Sequence, residues 1–176
     1  MKIVTTEIEG LQLIEPKVFY DRRGFFLETY REELLGVSFV QHNHSRSFRG
    51  VLRGLHFQHV RPQGKLVRAT VGAIFDVAVD LRPKSSSYGR WAGFLLSDQN
   101  HRQLYVPPGF AHGFLVLSEE ADVEYKCTEY YDPESDGGIR WDDPTLKIRW
   151  PLAGLTPQIS EKDQHLPTLR EWERGL

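Results

Sequence analysis

Apolar residues in this chain recur mostly at every second position, in short runs closed off by Gly, Pro, Asn or Asp. A period of two belongs to strands, because successive side chains of an extended backbone point to opposite faces. The clearest run is Ala73–Leu81, where Phe75, Val77, Val79 and Leu81 share one face and Asp76, Ala78 and Asp80 the other. Further strands are expected at Leu11–Ile14, Phe25–Thr29, Val37–His42, Gly54–Gln58, Lys65–Val71, Trp91–Leu96, Gln103–Val106, Gly113–Leu117 and Val123–Tyr130. About ten strands separated by turns point to a sandwich or barrel rather than a βαβ fold. Helices are few: Thr29–Leu35 can form two turns stopped by Gly36, and a second helix after Pro167 places Leu169, Trp172 and Leu176 at helical spacing. Ser85-Ser86-Ser87 reads as a loop tip between two strands.

The chain of 176 residues suits one domain spanning 1–176. Its 22 Lys and Arg against 24 Asp and Glu leave 22 − 24 = −2, so no global positive field would hold a nucleic acid or an anionic membrane. The longest apolar runs, such as Phe114–Leu117, fall far short of the ~20 residues that span a bilayer. A single cysteine, Cys127, and an N-terminus that turns acidic at Glu7 lead to the expectation of a cytoplasmic protein.

Seven histidines offer side chains suited to proton transfer at neutral pH. His42, His44, His59, His101 and His165 sit beside charged or polar residues and read as surface. His56 lies instead in the apolar strand Gly54-Leu55-His56-Phe57-Gln58, and His112 follows the turn Pro107-Pro108-Gly109-Phe110-Ala111. Gly50 followed by His56, and Pro107-x-Gly109-x-x-His112, resemble the outline of the two cupin motifs, which belong to a small double-stranded β-helix barrel. Where metal-binding cupins carry a second His and a Glu, this chain carries Gln58 and Gln63. Neutral amides are poor ligands for transition metals, so no metal site is expected.

Arg53, Lys65 and Arg68 lie on or beside strands that read as buried, and a buried cation calls for a counter-charge. A phosphorylated ligand would supply one. Arg22-Arg23 and the Gln41-His42-Asn43 segment add donors, with Gln41 and Asn43 on one strand face. Tyr125, Tyr130 and Tyr131 bring phenols, each able to serve as an acid, to stack or simply to pack. Spacing alone does not single out Asp163 from the charged run Ser160-Glu161-Lys162-Asp163.

Taken in order, Arg23-Gly24-Phe25-Phe26, Gln41-x-Asn43-His44-Ser45, Val51 through Gln58, Gln63 through Arg68, Phe75 through Asp80, Pro108 through Phe114, Ile139-x-Trp141-Asp142-Asp143 and Ser160-x-Lys162-Asp163 resemble the dTDP-4-dehydrorhamnose 3,5-epimerase family. The likeness runs from about Phe19 to Asp163. It implies an all-β, jelly-roll, cupin-like double-stranded β-helix barrel with a few short helices. It also implies a homodimer without metal or organic cofactor, whose substrate is a dTDP-sugar, dTDP-4-dehydro-6-deoxy-D-glucose. By the same resemblance His56 is the general base, Asp163 its orienting carboxylate, Tyr125 the general acid and Lys65 the cation near the developing enolate. Arg53 and His112 would line the sugar and diphosphate pocket. Arg23, Glu28, Gln41, Asn43 and Tyr131 would contact the nucleotide, with Phe19 beside the thymine, some of them from the partner subunit. Two departures stand out: His42 occupies a place where Asp is common, and the loop from Gln58 to Gln63 is one residue shorter than in some relatives.

The chemistry fits these residue types. A ketone at C4 acidifies the hydrogens on C3 and C5, so a base on one face and an acid on the other can invert either centre. Three other readings are a metal-dependent cupin enzyme, a non-catalytic sugar-nucleotide module, and an epimerase that inverts only C3 or only C5 of a dTDP-4-keto-6-deoxy sugar in antibiotic sugar synthesis. Gln58 speaks against the first, and the second has no need of His56, Tyr125 and Asp163 together.

Overall fold

A long antiparallel ribbon, rolled up on itself, forms the body of the protein. The computed structural model describes residues 1–175, so Leu176, the last position of the expected C-terminal helix, lies outside the described residues. In chain order the elements are β1 (Lys2–Thr5), β2 (Gln12–Glu15), β3 (Val18–Asp21), β4 (Gly24–Leu27), α1 (Glu32–Leu35), β5 (Gln41–Phe48), β6 (Leu52–Gln58) and β7 (Lys65–Val71). They continue with β8 (Ala73–Asp80), β9 (Trp91–Ser97), β10 (Gln103–Val106), β11 (Phe110–Val116), β12 (Glu120–Cys127), β13 (Asp136–Gly138), α2 (Glu161–Gln164) and α3 (Leu169–Arg174). The ribbon turns between β8 and β9, and its two arms pair as β8 with β9, β7 with β10, β6 with β11 and β5 with β12. Successive pairs fall alternately into a six-stranded sheet, β1-β2-β10-β7-β12-β5, and a five-stranded sheet, β13-β6-β11-β8-β9. This is the expected all-β jelly roll of cupin type. Ser85 to Ser87 form the ribbon's turn, where the Ser85 and Ser87 hydroxyls donate to Asp80 at 2.5 and 2.6 Å.

The alternation in β8 separates two cores rather than core from solvent. Phe75, Val77 and Val79 face outward, under a cover that includes Ile139, Leu146, Trp150 and Leu169 from the C-terminal segment. Ile74 and Ala78 face the barrel interior with Val67, Leu104, Phe114 and Val123, and Asp76 and Asp80 lie on this inner side, both fully buried.

Several strand boundaries differ from the sequence reading. The expected strand Val37–His42 gives way to β5, eight residues that start only at Gln41 and contain a single large apolar side chain, Phe48. Both faces of β5 are polar because one looks into the barrel and the other carries His42, His44 and Arg46 against Asp122 and Glu124 of β12. The helix expected over Thr29–Leu35 shrinks to α1, although Gly36 does end it in the left-handed conformation with φ 69° and its N–H on Glu32 O at 2.7 Å. No helix among the described residues is long and apolar enough to cross a membrane.

Candidate active site

One opening of the barrel leads into a cavity of about 350 Å³ lined from both sheets. Inward positions of β6 supply His56 and Gln58, and those of β5, β7 and β12 supply Gln41, Asn43, Lys65 and Tyr125. His56 thus stands on the five-stranded sheet, and Lys65 and Tyr125 stand on the six-stranded sheet across the cavity. Lys65 Nζ lies 6.0 Å from the centre of the Tyr125 ring.

The local backbone of β6 is irregular where the chemistry needs it. His56 pairs with His112 and Arg53 with Phe114, a shift that inserts one extra residue at Gly54 and turns Arg53 to the same face as His56. Strict alternation would have put them on opposite faces. Gly54 has φ +115°, and a Cβ there would lie 2.7 Å from both Gly113 Cα and His112 O, so the approach of β6 to β11 requires glycine. The Gly54 N–H is left free for a side chain and donates to Asp163 Oδ2 at 3.0 Å.

Asp163 sits at the start of α2, capped by Ser160, and is 3% exposed. Its Oδ1 lies 2.7 Å from His56 Nε2. A carboxylate only accepts, so Nε2 carries the hydrogen and the lone pair belongs to Nδ1. Burial alone would raise the Asp163 pKa, yet the bonds from His56, the Gly54 N–H and Ser160 outweigh it and hold the carboxyl below its ordinary range. Burial prevails at the next two groups. It pushes the Tyr125 phenol up, against a smaller pull from the Arg53 charge, so Tyr125 keeps its proton at neutral pH. It lowers the pKa of Lys65, against the fields of Cys127, Asp136 and Asp76.

Tyr131 also lines the cavity, its hydroxyl donating to Asp136 Oδ2 at 3.0 Å, a carboxylate shared with the Lys162 ammonium. Asp136 escapes a reading of the sequence, since it lies in a turn-like Ser135-Asp136-Gly137-Gly138 stretch, and Lys162 is given no role there beyond its place in the Ser160–Asp163 run. Gln58 is fully engaged by backbone: its amide donates to Arg61 O and Tyr130 O, and its oxygen accepts from Asp132 N.

Arg53, expected in the pocket, lines an adjoining groove that shares His56 and Lys162 with the cavity, and four further expected site residues stand elsewhere in the single chain. His112 is 6% exposed and bonded to Asp76 instead of lining the cavity, because β11 runs through the middle of its sheet. Phe19 and Arg23 lie on the β3–β4 hairpin, a separate two-stranded piece, and Glu28 follows it. Arg23 pairs with Asp21 at 2.6 Å and Glu28 with Arg31 at 2.6 Å. Arg68, expected as a buried cation calling for a phosphorylated ligand, points to the outer face of β7, one position out of phase with Val67 and Ala69.

A family model described as dTDP-4-dehydrorhamnose 3,5-epimerase matches residues 5–171. The chain belongs to the dTDP-4-dehydrorhamnose 3,5-epimerase family. It is 55% identical to the dTDP-4-dehydrorhamnose 3,5-epimerase of Methanothermobacter thermautotrophicus, over 97% of this chain and 95% of that protein. The enzyme of the same name from Escherichia coli is 56% identical, over 97% and 96%. Among solved structures, dTDP-6-deoxy-D-glucose-3,5-epimerase from Legionella pneumophila, in complex with dTDP-4-keto-L-rhamnose, superposes with a TM-score of 0.92 at 52% identity, covering 96% of this chain and 93% of that one. All the cavity residues named above fall within the span that the 3,5-epimerase family model matches.

Proposed function

We propose that this chain catalyses epimerisation at C3 and C5 of dTDP-4-dehydro-6-deoxy-D-glucose, giving dTDP-4-dehydro-L-rhamnose. The observation that carries the mechanism is the placement of His56 and Tyr125 on opposite walls of one cavity, with Lys65 beside the phenol. His56 Nδ1 removes the hydrogen next to the C4 ketone, and Asp163 stabilises the imidazolium that forms. Negative charge moves to the C4 oxygen, where the Lys65 ammonium receives it. Such a pair 4 Å apart interacts by about 1 kcal/mol in water and about 4 kcal/mol at an effective dielectric of 20, so seclusion in the barrel matters as much as the charge. Tyr125 then returns a proton from the other face, and the carbon is inverted. The substrate's own ketone is the electron sink, and no step calls on a metal or organic cofactor.

The nucleotide end asks for more than one chain. Phe19, Tyr20, Phe25 and Phe26 on the β3–β4 hairpin are 52, 69, 57 and 70% exposed, an aromatic surface with Arg23 at its tip and no counterpart in the cavity of the same chain. A homodimer in which each hairpin reaches the partner's cavity would bring Phe19, Arg23 and Glu28 to the dTDP beside Gln41, Asn43, Arg53 and Tyr131. Light scattering should give twice the chain mass; the mass of one chain refutes the dimer. The buried, unpaired thiol of Cys127 supports a reducing compartment, the cytoplasm, for an enzyme acting as one domain over 1–176.

The deciding experiment is NMR of the product formed from dTDP-4-dehydro-6-deoxy-D-glucose in deuterated water and trapped by a reductase. Deuterium with inversion at both C3 and C5 is expected. Inversion at one carbon alone would make the chain a mono-epimerase, and no exchange at all would overturn the reading.

A further inference from the structure

Among the described residues the β3–β4 hairpin pairs with no other strand, so its direction must be set by side chains. Cross-strand partners give it two aromatic faces, with Phe19 opposite Phe26 on one and Tyr20 opposite Phe25 on the other. The Tyr20–Phe25 face meets His101, in the loop between β9 and β10. The His101 and Phe25 rings lie 4.7 Å apart, centre to centre, within the range of an attractive aromatic pair. The Tyr20 hydroxyl is 3.4 Å from His101 Nε2.

The two residues after His101 hold the hairpin's stems. Arg102 Nη2 donates to Glu15 Oε1 at 2.8 Å, at the end of β2 where the chain enters the hairpin. Gln103 Nε2 donates to Thr29 O at 2.8 Å, just past the end of β4 where the chain leaves it. Gln103 is 1% exposed and opens β10, which pairs with β7, so the grip is rooted in the sheet that carries Lys65 and Tyr125. The loop itself is fixed: Asn100 Oδ1 accepts from the N–H groups of Ser97 and Arg102 at 3.1 and 2.9 Å, and the His101 N–H donates to Ser97 O at 2.8 Å. His101 has φ 53°, a left-handed conformation that few side chains adopt without strain. Three successive residues thus hold one face, the entry and the exit of the hairpin.

We propose that His101 is a positioning residue for nucleotide binding: its ring pins the Tyr20–Phe25 face, which leaves the Phe19–Phe26 face directed at the cavity of a second copy. The inference rests on the role given to the hairpin above. In a two-fold dimer the angle between hairpin and barrel is the same in both copies, so a pin inside one chain sets where its aromatic face arrives over the other. Preorganisation of this kind acts on affinity, because a hairpin free to swing must be ordered at the moment of binding. His101 is not among the residues that line the cavity with His56, Lys65 and Tyr125, so the proton transfers are untouched.

The test is His101→Gly, read as the Kd of dTDP by calorimetry, KM and kcat for the keto-sugar, and Tm. Kd and KM should rise about three- to tenfold, the worth of one such aromatic contact, with kcat within about twofold of wild type. Tm should stay within about 3 °C, because glycine relieves the left-handed backbone as the ring contact is lost. His101→Phe restores a ring against Phe25 but strains that backbone further, so it should recover affinity to within about twofold while melting lower. In a Phe19→Ala background His101→Gly should add almost nothing, since both changes weaken the same contact with the nucleotide. Wild-type affinity in His101→Gly, an affinity that follows Tm across the two variants, or losses that multiply in the double variant would overturn the proposal. Should His101→Phe not fold, the cycle with Phe19→Ala decides alone. Light scattering and wild-type turnover, measured alongside, separate the two readings: a monomer overturns the hairpin's reach together with its pin, whereas an active dimer indifferent to His101→Gly overturns the pin alone.

Discussion

Asp163→Asn removes one charge from the site and almost no volume, and its consequences can be worked out from hydrogen-bond chemistry. The Gly54 N–H at 3.0 Å can only donate, so the new amide must give it the oxygen and turn its NH2 toward His56. The reverse orientation sets two buried donors against each other, at about 1–3 kcal/mol. Facing an NH2, His56 must offer its lone pair at Nε2, and the ring proton moves to Nδ1, the nitrogen that served as base. The carboxylate that balanced the imidazolium is gone as well. Loss of a general base costs about 10² to 10⁴ in rate, or about 3 to 5 kcal/mol of barrier. Stability should suffer less: one charge-assisted bond contributes about 1.5–3 kcal/mol, a fall in Tm on the order of 5–10 °C for a chain of this size. The Asp163 carboxyl is held below its ordinary range, so its stabilising share is present above the unfolded value near 4 and is lost as pH falls through the folded one. The melting difference between wild type and variant should therefore narrow in acid. Exchange at C3 and C5, trapped product and thermal melting measure all three quantities. A folded variant turning over within about threefold of wild type would refute the tautomer argument and leave Asp163 as a structural cap.

Tyr125→Phe keeps the ring against its neighbours and deletes only the proton donor, so His56 can still form the enolate and hand a proton back on its own face. Deuterium wash-in should therefore survive far better than net inversion, and equal losses in both would mean that Tyr125 holds the sugar instead of protonating it. Gly54→Ala meets Gly113 Cα and His112 O at 2.7 Å and also forces alanine to φ +115°. It should destabilise by more than the roughly 1–2 kcal/mol of left-handed strain alone, the cost expected for Gly36→Ala, which has φ +69° and open space around it. Urea melts showing the two variants equally stable would dismiss the close approach of β6 and β11.

The strands most legible in the sequence are those with an apolar residue on at least every second position, such as β7, β8 and β10. β5 was not legible, since Gln41, Asn43, Ser45 and Ser47 share one polar face, of which Gln41 and Asn43 line the cavity, while His42, His44 and Arg46 meet the charges of β12. Neither face carries the hydrophobic signal that periodicity detects. His56 could be read from an imidazole set in an apolar strand, whereas Asp163 could not be chosen from its charged surroundings. What distinguishes Asp163 is a contact across 107 residues of chain. The position of Arg53 illustrates a further limit. Parity along a strand is reliable until an extra residue is inserted, and Gly54 announces itself only as a glycine.

The rolled ribbon also orders events in time. Its pairings are nested: Val79 of β8 meets Trp91 a short loop away, whereas Gln41 of β5 meets Cys127 near the far end of the domain. Closing the inner pair costs little loop entropy, and each completed pair shortens the effective span left for the next. Zipping from the serine turn outward would thus leave β5, β6 and the Asp163 contact until last. Substitutions around Asp80 and Ser87 should then slow refolding, while those around Asn43 and Asp163 should mainly hasten unfolding, a contrast that stopped-flow φ-values can check. By this order of assembly the catalytic pair is the final stitch of the domain.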